Sequence, residues 1–408
     1  MKNKVRFILS VLLIVLTLGS AKSQNIVNES IARKIGTNFI SHNSNRTSPT
    51  LKLTHTGIGT DNQANLYIFN IEGGGFVIVS ALKETNPILA YSFKNNFGEE
   101  IPATASYFIN NYNNSINYLK ETDNEIDEFC LKMWEELETN NIRSKTRDVV
   151  SPLIQTQWNQ DCYYNEYAPL DTYGPCNRAY AGCVACAMSQ VMKYWNYPET
   201  GKGSHNYTHA KYGNLSADFG SATYKWGEMP NQIWSDNDAI ATLMYHCGVS
   251  VNMNFGPEGS GAQSKDVETA MRSYFGYSAA KYVERTNYQD EDWIALLKSE
   301  LDKEQPMYFS GTGEPGGHAI VCDGYDNNDY FHFNMGWSGM SDGFYSIDYA
   351  GGFFKNQAIV MNIFPLPINA DENNIIYVAA DGEGDGSSWE NATSKLEYAT
   401  AIASDDIT

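Results

Sequence analysis

The clearest periodic segment of the chain runs from 181 to 195 and carries its apolar residues on one helical face. These residues recur at i, i+4, i+7, i+8 and i+11, namely Val184, Met188, Val191, Met192 and Trp195. That spacing is typical of an amphipathic helix, and Pro198 just beyond it predicts that the helix has ended. The pattern therefore predicts a core helix with Cys183 at its N-terminus.

Short apolar runs bounded by turn residues predict strands on both sides of this helix. Upstream, two such runs flank Gly73, Gly74 and Gly75 and indicate a hairpin over 65–80. Downstream, the runs 319–325 and 331–334 indicate a second hairpin, which the glycine-rich loop 313–317 precedes. A polar, helix-like stretch over 106–138 carries eight acidic residues between Glu121 and Glu138. The mixture of helices and hairpins predicts an α+β protein.

The N-terminus has the pattern of a secretory signal. Three basic residues precede an apolar run of 12 residues over 7–18, and Ala21 and Ser23 stand before a cleavage point at Gln24. Twelve residues cannot span the roughly 30 Å of hydrocarbon in a membrane, which argues against an anchor. We therefore expect residues 1–23 to be a signal peptide and the protein to be secreted or at the cell surface.

Composition shifts divide the remaining chain. The polar stretch 140–147, with Arg143, Lys145 and Arg147, is expected to connect a segment 24–147 to a segment 148–364 that is rich in Tyr, Trp and Gly. A second linker is expected over 365–374. Residues 375–408 resemble the opening of a secreted parallel β-helix domain, with a strand, a turn cluster, Trp389 and a helix over 396–403.

Composition and charge exclude several classes of protein. The chain has 408 residues, 42% of them apolar, which gives room for two or three globular domains. Its net charge of −20 argues against nucleic-acid binding, which relies on basic residues that neutralise phosphates. Seven cysteines are too few for a disulfide scaffold, and their odd number leaves at least one thiol unpaired or paired outside the chain.

Cys183 directly follows Gly182 at the predicted helix start, where free backbone N–H groups favour a thiolate and lower the thiol pKa. Cys183 and Cys186 could instead form a redox pair, but no βαβ surroundings accompany them. A zinc site would need a second ligand pair at suitable spacing, and the chain has none. Cys186, one turn into the helix, is expected to be a buried structural cysteine. The sequence leaves open whether Cys162 and Cys176 pair.

A base for the thiol is offered by the second hairpin. His318 opens the strand that follows the glycine-rich loop, and Asn334 ends the next strand. A nucleophilic thiol, an imidazole base and an amide that orients the imidazole are what a thiol hydrolase requires. Cys183, His318 and Asn334 are therefore the predicted catalytic residues.

Several ordered motifs resemble the streptopain family of secreted, papain-like cysteine peptidases. They are 182–185, 192–198, 256–257, 305–308, 316–319, 334–339 and 341–344. The likeness extends over about 150–364, and residues 67–92 resemble the inhibitory propeptide of the family. The resemblance implies a two-lobed α+β fold, with a helical lobe that carries Cys183 and an antiparallel β lobe that carries His318, preceded by an α+β propeptide domain.

The same resemblance implies further site residues. Gln160 corresponds to the glutamine that, with the Cys183 backbone N–H, stabilises the oxyanion. Ser260, Gly261 and Gly317 correspond to positions whose backbone pairs with an extended substrate, and Trp337 to an aromatic residue beside the site. The family uses no metal or organic cofactor. Met335 departs from the family, which commonly has Trp there, and Cys186 stands where Thr is frequent.

The expected function is therefore a secreted cysteine endopeptidase, made as a zymogen, that acts on protein or peptide substrates and is inhibited by its own propeptide. The alternative is a catalytically silent binding or adhesion protein that keeps the peptidase fold. In either case, contact with a cell surface or a glycan would involve the C-terminal segment.

Overall fold

The computed structural model describes residues 25–122, 127–313, 316–347, 356–365, 375–382 and 386–394, together with 354, 373, 396, 399 and 400. The predicted signal peptide lies outside the described residues, as do two residues of the predicted loop 313–317 and most of the predicted C-terminal helix. None of the described helices combines the length and the apolar character that crossing a membrane requires.

The N-terminal segment is an antiparallel meander covered by helices. Its helices are α1 (Glu29–Asn43), α2 (Ala103–Glu121) and α3 (Glu128–Thr139), and its strands are β1 (Leu51–Ile58), β2 (Ala64–Ile71), β3 (Phe76–Ser80) and β4 (Ile88–Ser92). The predicted hairpin forms as β2 and β3. Gly75 has φ +104, and a Cβ there would lie 2.5 Å from the Ser92 carbonyl oxygen, so the turn requires glycine. The stretch 106–138, which the sequence predicted as one helix, forms two helices, α2 and α3.

The following segment has a helical lobe around the predicted helix. The elements are α4 (Cys183–Trp195), β6 (Ser204–His209), β7 (Gly213–Asp218), α5 (Asp238–Ser250) and α6 (Asp266–Phe275). Helix α7 (Asp290–Leu301) instead packs its buried residues in the core of the β lobe. Helix α4 ends at Asn196, which adopts the left-handed conformation. The apolar face of α4 is buried in a core that α5, α6 and one face of the β lobe complete.

The β lobe is antiparallel. Its strands are β5 (Asp148–Val150), β8 (Lys281–Glu284), β9 (Met307–Gly313), β10 (Gly316–Asp326), β11 (Phe331–Asn334), β12 (Gly343–Tyr345) and β13 (Gln357–Met361). The predicted hairpin forms as β10 and β11, with Val321 opposite Asn334. Because β12 also pairs with β4, the N-terminal meander and the β lobe form one sheet of eleven strands.

A second core joins the N-terminal segment to the β lobe. Helix α2 contributes Tyr107 and Phe108, which are buried together with Phe309 of β9 and Ile320 of β10. Ring centroids of Phe108 and Tyr345 lie 4.5 Å apart. The fold is therefore α+β, as expected, and its N-terminal segment packs directly on the sheet that carries His318.

The C-terminal segment shows one short parallel pairing. Val378 bridges Thr393 in parallel, and the rings of Tyr377 and Trp389 are in contact with centroids 5.2 Å apart. A parallel pair across so short a loop is compatible with one coil of a β-helix. The assignment of this segment to a β-helix domain stays a prediction.

Candidate active site

Cys183 and His318 line one cleft between the two lobes. The cleft has a volume of about 780 Å³, and Gly261 and Gly317 also line it. Helix α4 brings Cys183 to the cleft from the helical lobe, while β10 brings His318 from the β lobe. Two residues 135 positions apart in the sequence thus line the same cleft, and their roles as nucleophile and base stay a prediction.

The Cys183 thiol lies at the first position of α4, after Gly182 with φ +93. Burial raises the thiol pKa above its ordinary value, and hydrogen bonds from the backbone N–H groups of Ala319 and Val184 offset only part of this rise. The lowered pKa predicted from the helix position is therefore wrong for this full-length chain. Removal from water disfavours the thiolate more than the helix N-terminus favours it.

His318 faces the N-terminal segment. In the β9–β10 pairing it lies opposite Gly311, so it shares a face of the sheet with Gly311 and, two residues along, with Ile320. Ala319 points to the other face and packs in the core of α4. The buried Nε2 of His318 has no hydrogen-bond partner among the described residues, and burial lowers the pKa of the imidazole.

Helix α2 covers the face of the sheet to which His318 belongs. A Cβ built on Gly311 would lie only 2.3 Å from the Tyr107 ring, so this ring sits directly on the strand residue opposite His318. The hydroxyl of Thr104 donates to the carbonyl of Met335 at 3.1 Å. Sequence reasoning missed Tyr107, because it is one of several aromatic residues on a polar helix.

Asn334 is buried, and both ends of its carboxamide are hydrogen-bonded to residues other than His318. Its Oδ1 accepts from the side chain of Gln190 and from the backbone N–H of Gly336, both at 3.0 Å, and its Nδ2 donates to the Thr156 carbonyl at 2.7 Å. Gln190 was not predicted as a site residue. The signal in the sequence is a polar side chain on the otherwise apolar, buried face of α4.

Gln160 is 5% exposed, and its Nε2 donates to the Gly336 carbonyl at 3.2 Å. Its own carbonyl accepts from the backbone N–H of Ala181, two residues before Cys183. Trp337, next to Gly336, has a buried indole N–H for which the described part of the chain offers no acceptor, and its ring contacts Tyr180 with centroids 6.2 Å apart. Gln160 and Trp337 therefore both contact residues 180–181, which directly precede α4.

The segment with Ser260 and Gly261 forms one wall of the cleft. The Ser260 hydroxyl donates to the Tyr180 carbonyl at 2.7 Å, which ties this wall to the chain before α4. The N–H and the C=O of Gly261 pair with the backbone of Asn254. Gly317, on the opposite wall, has an open side, because a Cβ there would meet nothing closer than Thr312 Cγ2 at 3.6 Å.

The structure shows which cysteines are paired, a question that the sequence left open. Cys162 and Cys176 form a disulfide that closes a loop between Gln160 and α4. Cys183 and Cys186 are both free thiols, and Cys186 is buried with Gln190 Nε2 at 3.7 Å from its sulfur. Cys183 and Cys186 therefore do not form a redox disulfide in this structure.

Comparisons with known proteins agree with this architecture. The Peptidase C10 family matches residues 158–345, and the Spi protease inhibitor family matches residues 24–116. Streptopain of Streptococcus pyogenes is 31% identical over 361 residues, which cover 78% of this chain and 86% of that protein. The thiol protease/hemagglutinin PrtT of Porphyromonas gingivalis is 31% identical over 339 residues, 74% of this chain and 37% of that protein.

Among solved structures, a fragment of prointerpain A from Prevotella intermedia superposes with a TM-score of 0.63. It is 30% identical, and the match covers 78% of this chain and 99% of the fragment. The inhibitor match lies in the segment that contains α2, and the peptidase match contains Cys183 and His318. The chain therefore belongs to the peptidase C10 family and is a cysteine peptidase with an inhibitor-type propeptide.

Proposed function

We propose that residues 148–364 form an endopeptidase in which Cys183 is the nucleophile and His318 the general base. The observation that carries this proposal is the cleft itself, because Cys183 at the N-terminus of α4 and His318 near the start of β10 both line it. Protein or peptide substrates would lie along the cleft between the Gly261 wall and Gly317.

The reaction follows from these positions. The Cys183 thiolate attacks the carbonyl carbon of the scissile bond and forms a tetrahedral intermediate. Its oxyanion accepts hydrogen bonds from the Cys183 backbone N–H and from Gln160 Nε2, a contribution typically worth about 100-fold or more in rate per donor. The His318 imidazolium then protonates the leaving amine, and the acyl-enzyme forms. Water activated by His318 releases the acid and regenerates the thiol.

The full-length chain is inactive because α2 covers the face of the sheet that carries His318. With residues 25–122 in place, His318 lies on the face that Tyr107 occupies, and its Nε2 has no partner. Asn334 is bonded to Gln190 instead. Cleavage of the exposed connector 140–147 would release α2, free this face, and let His318 pair with Cys183 and Asn334. Burial, which raises the pKa of the Cys183 thiol in the full-length chain, supports the same view.

Two further assignments complete the proposal. Export through the signal peptide 1–23 fits the disulfide between Cys162 and Cys176, which persists in oxidising compartments. The C-terminal segment from 375 exposes 68% of Trp389, and an aromatic face of this kind suits contact with a glycan or a cell surface.

Labelling with a thiol-directed epoxide at pH 5.5, read by mass spectrometry, tests the catalytic assignment. Cys183 should react after processing and not before, whereas the three other free cysteines of the processed enzyme, Cys186, Cys247 and Cys322, are buried and should stay unmodified. Cys183→Ala should leave a folded, unprocessed chain. Equal labelling of all free cysteines in the processed protein would contradict the assignment.

The substrate path is tested at Gly317. Gly317→Ala adds a methyl group that makes only ordinary van der Waals contacts, 3.6 Å from Thr312 Cγ2 and 3.9 Å from the Gly311 carbonyl oxygen, so the fold should be retained while an extended substrate is obstructed and KM rises. Gly316→Ala is the matched control, because it adds the same methyl group one residue earlier, where a Cβ meets none of the described atoms within 4 Å. Equal KM values for the two variants would exclude Gly317 from the substrate path.

A further inference from the structure

Asn254 stands in the cleft beside the open side of Gly261. Its backbone N–H donates to the Gly261 carbonyl at 2.9 Å, and the Gly261 N–H donates to the Asn254 carbonyl at 3.3 Å. Directly opposed residues of an antiparallel pair project from the same face. A Cβ on Gly261 would meet nothing within 4 Å, so the exposed Asn254 side chain borders open space in the same cleft as Cys183.

His209 fixes the orientation of the Asn254 carboxamide. The Nδ1 of His209 accepts from the backbone N–H groups of Lys211 and Tyr212 at 3.1 and 3.2 Å, so Nδ1 carries no proton. The proton is therefore on Nε2, which donates to Asn254 Oδ1 at 2.9 Å. This leaves Asn254 Nδ2 turned away from His209, and no described residue accepts a hydrogen bond from it.

The His209 ring is itself held in place. The ring of Tyr212 stacks on it with centroids 4.8 Å apart. The Lys211 ammonium and the Tyr212 hydroxyl both donate to Asp171, whose buried side chain belongs to the loop closed by the disulfide. A donor held by such a chain of contacts is pre-organised, which is what a recognition group needs.

We propose that Asn254 contacts the substrate, and that its Nδ2 donates to a carbonyl or carboxylate oxygen of a substrate side chain at the subsite beside Gly261. A side chain on the face of a strand pair stands perpendicular to the plane of the backbone hydrogen bonds. Beside a peptide bound in an extended conformation, it therefore meets the side chains of the peptide and not its main chain. Lys265 and Glu284 both line the same cleft, so their charges oppose each other and the preference comes from the Asn254 donor. Asp, Glu, Asn and Gln are the preferred residues, and His209 is a positioning residue. This inference rests on the proposed peptidase function.

Matched peptides test the assignment. Glu, Gln, Met or Lys is placed in turn at each of the four positions before the scissile bond, and kcat/KM is measured with full-length protein after processing. At one position the Gln/Met ratio should exceed one, and Asn254→Leu should lower that ratio about three- to tenfold, the effect of one lost hydrogen bond. Asn254→Asp exposes a carboxylate, so it should shift the preference from Glu to Lys.

The positioning role of His209 has its own readout. His209→Ala should raise KM for the Gln peptide without a matching fall in kcat, and His209→Gln, which keeps a donor for Asn254 Oδ1, should restore it. His205→Ala is the control, because His205 bonds Asn252 at 2.8 Å in a similar pair that does not line the cleft. Failure of His209→Gln to restore KM would reduce His209 to a structural role and overturn that part of the proposal.

The outcomes separate this inference from the proposed function. The processed protein could cleave all the peptides, while Asn254→Leu changes kcat/KM equally for the Glu, Gln, Met and Lys peptides and Asn254→Asp does not shift the preference to Lys. In that case the assignment of Asn254 is wrong and the peptidase assignment stands. If Cys183 does not react with the thiol-directed epoxide and no peptide is cleaved, the proposed function fails and the inference fails with it.

Discussion

Gly311→Ala should loosen the inhibitory propeptide without disturbing the processed enzyme. The added methyl group would lie 2.3, 2.5 and 2.8 Å from three carbons of the Tyr107 ring, whereas ordinary contacts begin near 3.4 Å. Tyr107 is only 3% exposed, so its ring must move by roughly 1 Å within a packed core. Overpacking of this kind costs about 1 to 3 kcal/mol. This cost applies only while α2 is packed on the sheet. The population of precursor molecules in which α2 has left the sheet should therefore increase about 5- to 150-fold.

The assay measures how often Cys183 becomes reactive in the intact precursor. Arg143, Lys145 and Arg147 are changed to Gln to prevent cleavage of the connector, and the rate of epoxide labelling at Cys183 is followed by mass spectrometry. Gly311→Ala should increase this rate by the factor above. Gly316→Ala should leave it unchanged, because the added methyl group meets no atom within 4 Å.

A double-mutant comparison identifies the cause. In a Tyr107→Ala background the clash partner is absent, so Gly311→Ala should add little to the labelling rate. The processed Gly311→Ala enzyme should label at the rate of its parent. Equal effects of Gly311→Ala with and without Tyr107, or a well-folded Gly311→Ala precursor whose labelling rate is unchanged, would refute the role assigned to this contact.

Three further predictions concern the site and its stability. Asn334→Ala should lower kcat of the processed enzyme far more than it raises KM, if Asn334 orients His318 in the transition state; a change confined to KM would contradict this. Burial raises the pKa of Asp326, which accepts from the Tyr91 hydroxyl of the propeptide at 2.7 Å, to about 6. Because the folded-state pKa lies above the unfolded value, this group's contribution to precursor stability is present below about pH 4 and is lost as the pH rises through 6, on the order of 3 kcal/mol. Asp326→Asn should flatten that part of the stability curve in thermal unfolding between pH 4 and 7, and an unchanged curve would show that Asp326 does not titrate there. Met335→Trp should destabilise the precursor by about 1 to 3 kcal/mol, because Met335 is fully buried, and an unchanged melting temperature would mean that the core has room for the indole.

The sequence determined the elements that carry the two predicted catalytic residues, because each element is encoded by a local pattern. The period of α4 and the proline after it place Cys183 at a helix N-terminus, and the glycine-rich turn and alternating runs place His318 at the start of a strand. Such patterns depend on residues that are near one another along the chain, so no knowledge of the rest of the fold is needed.

The tertiary structure alone decided what these residues face. Thr104 and Met335 are 231 residues apart in sequence, yet their hydrogen bond helps to seat α2 on the sheet of His318. The partner of Asn334, the backbone pairing of Gly261 and the rise in the Cys183 thiol pKa have the same origin. Burial and hydrogen bonding sum contributions from elements that are distant in sequence, so a local pattern can place a thiol at a helix end without deciding whether water reaches it.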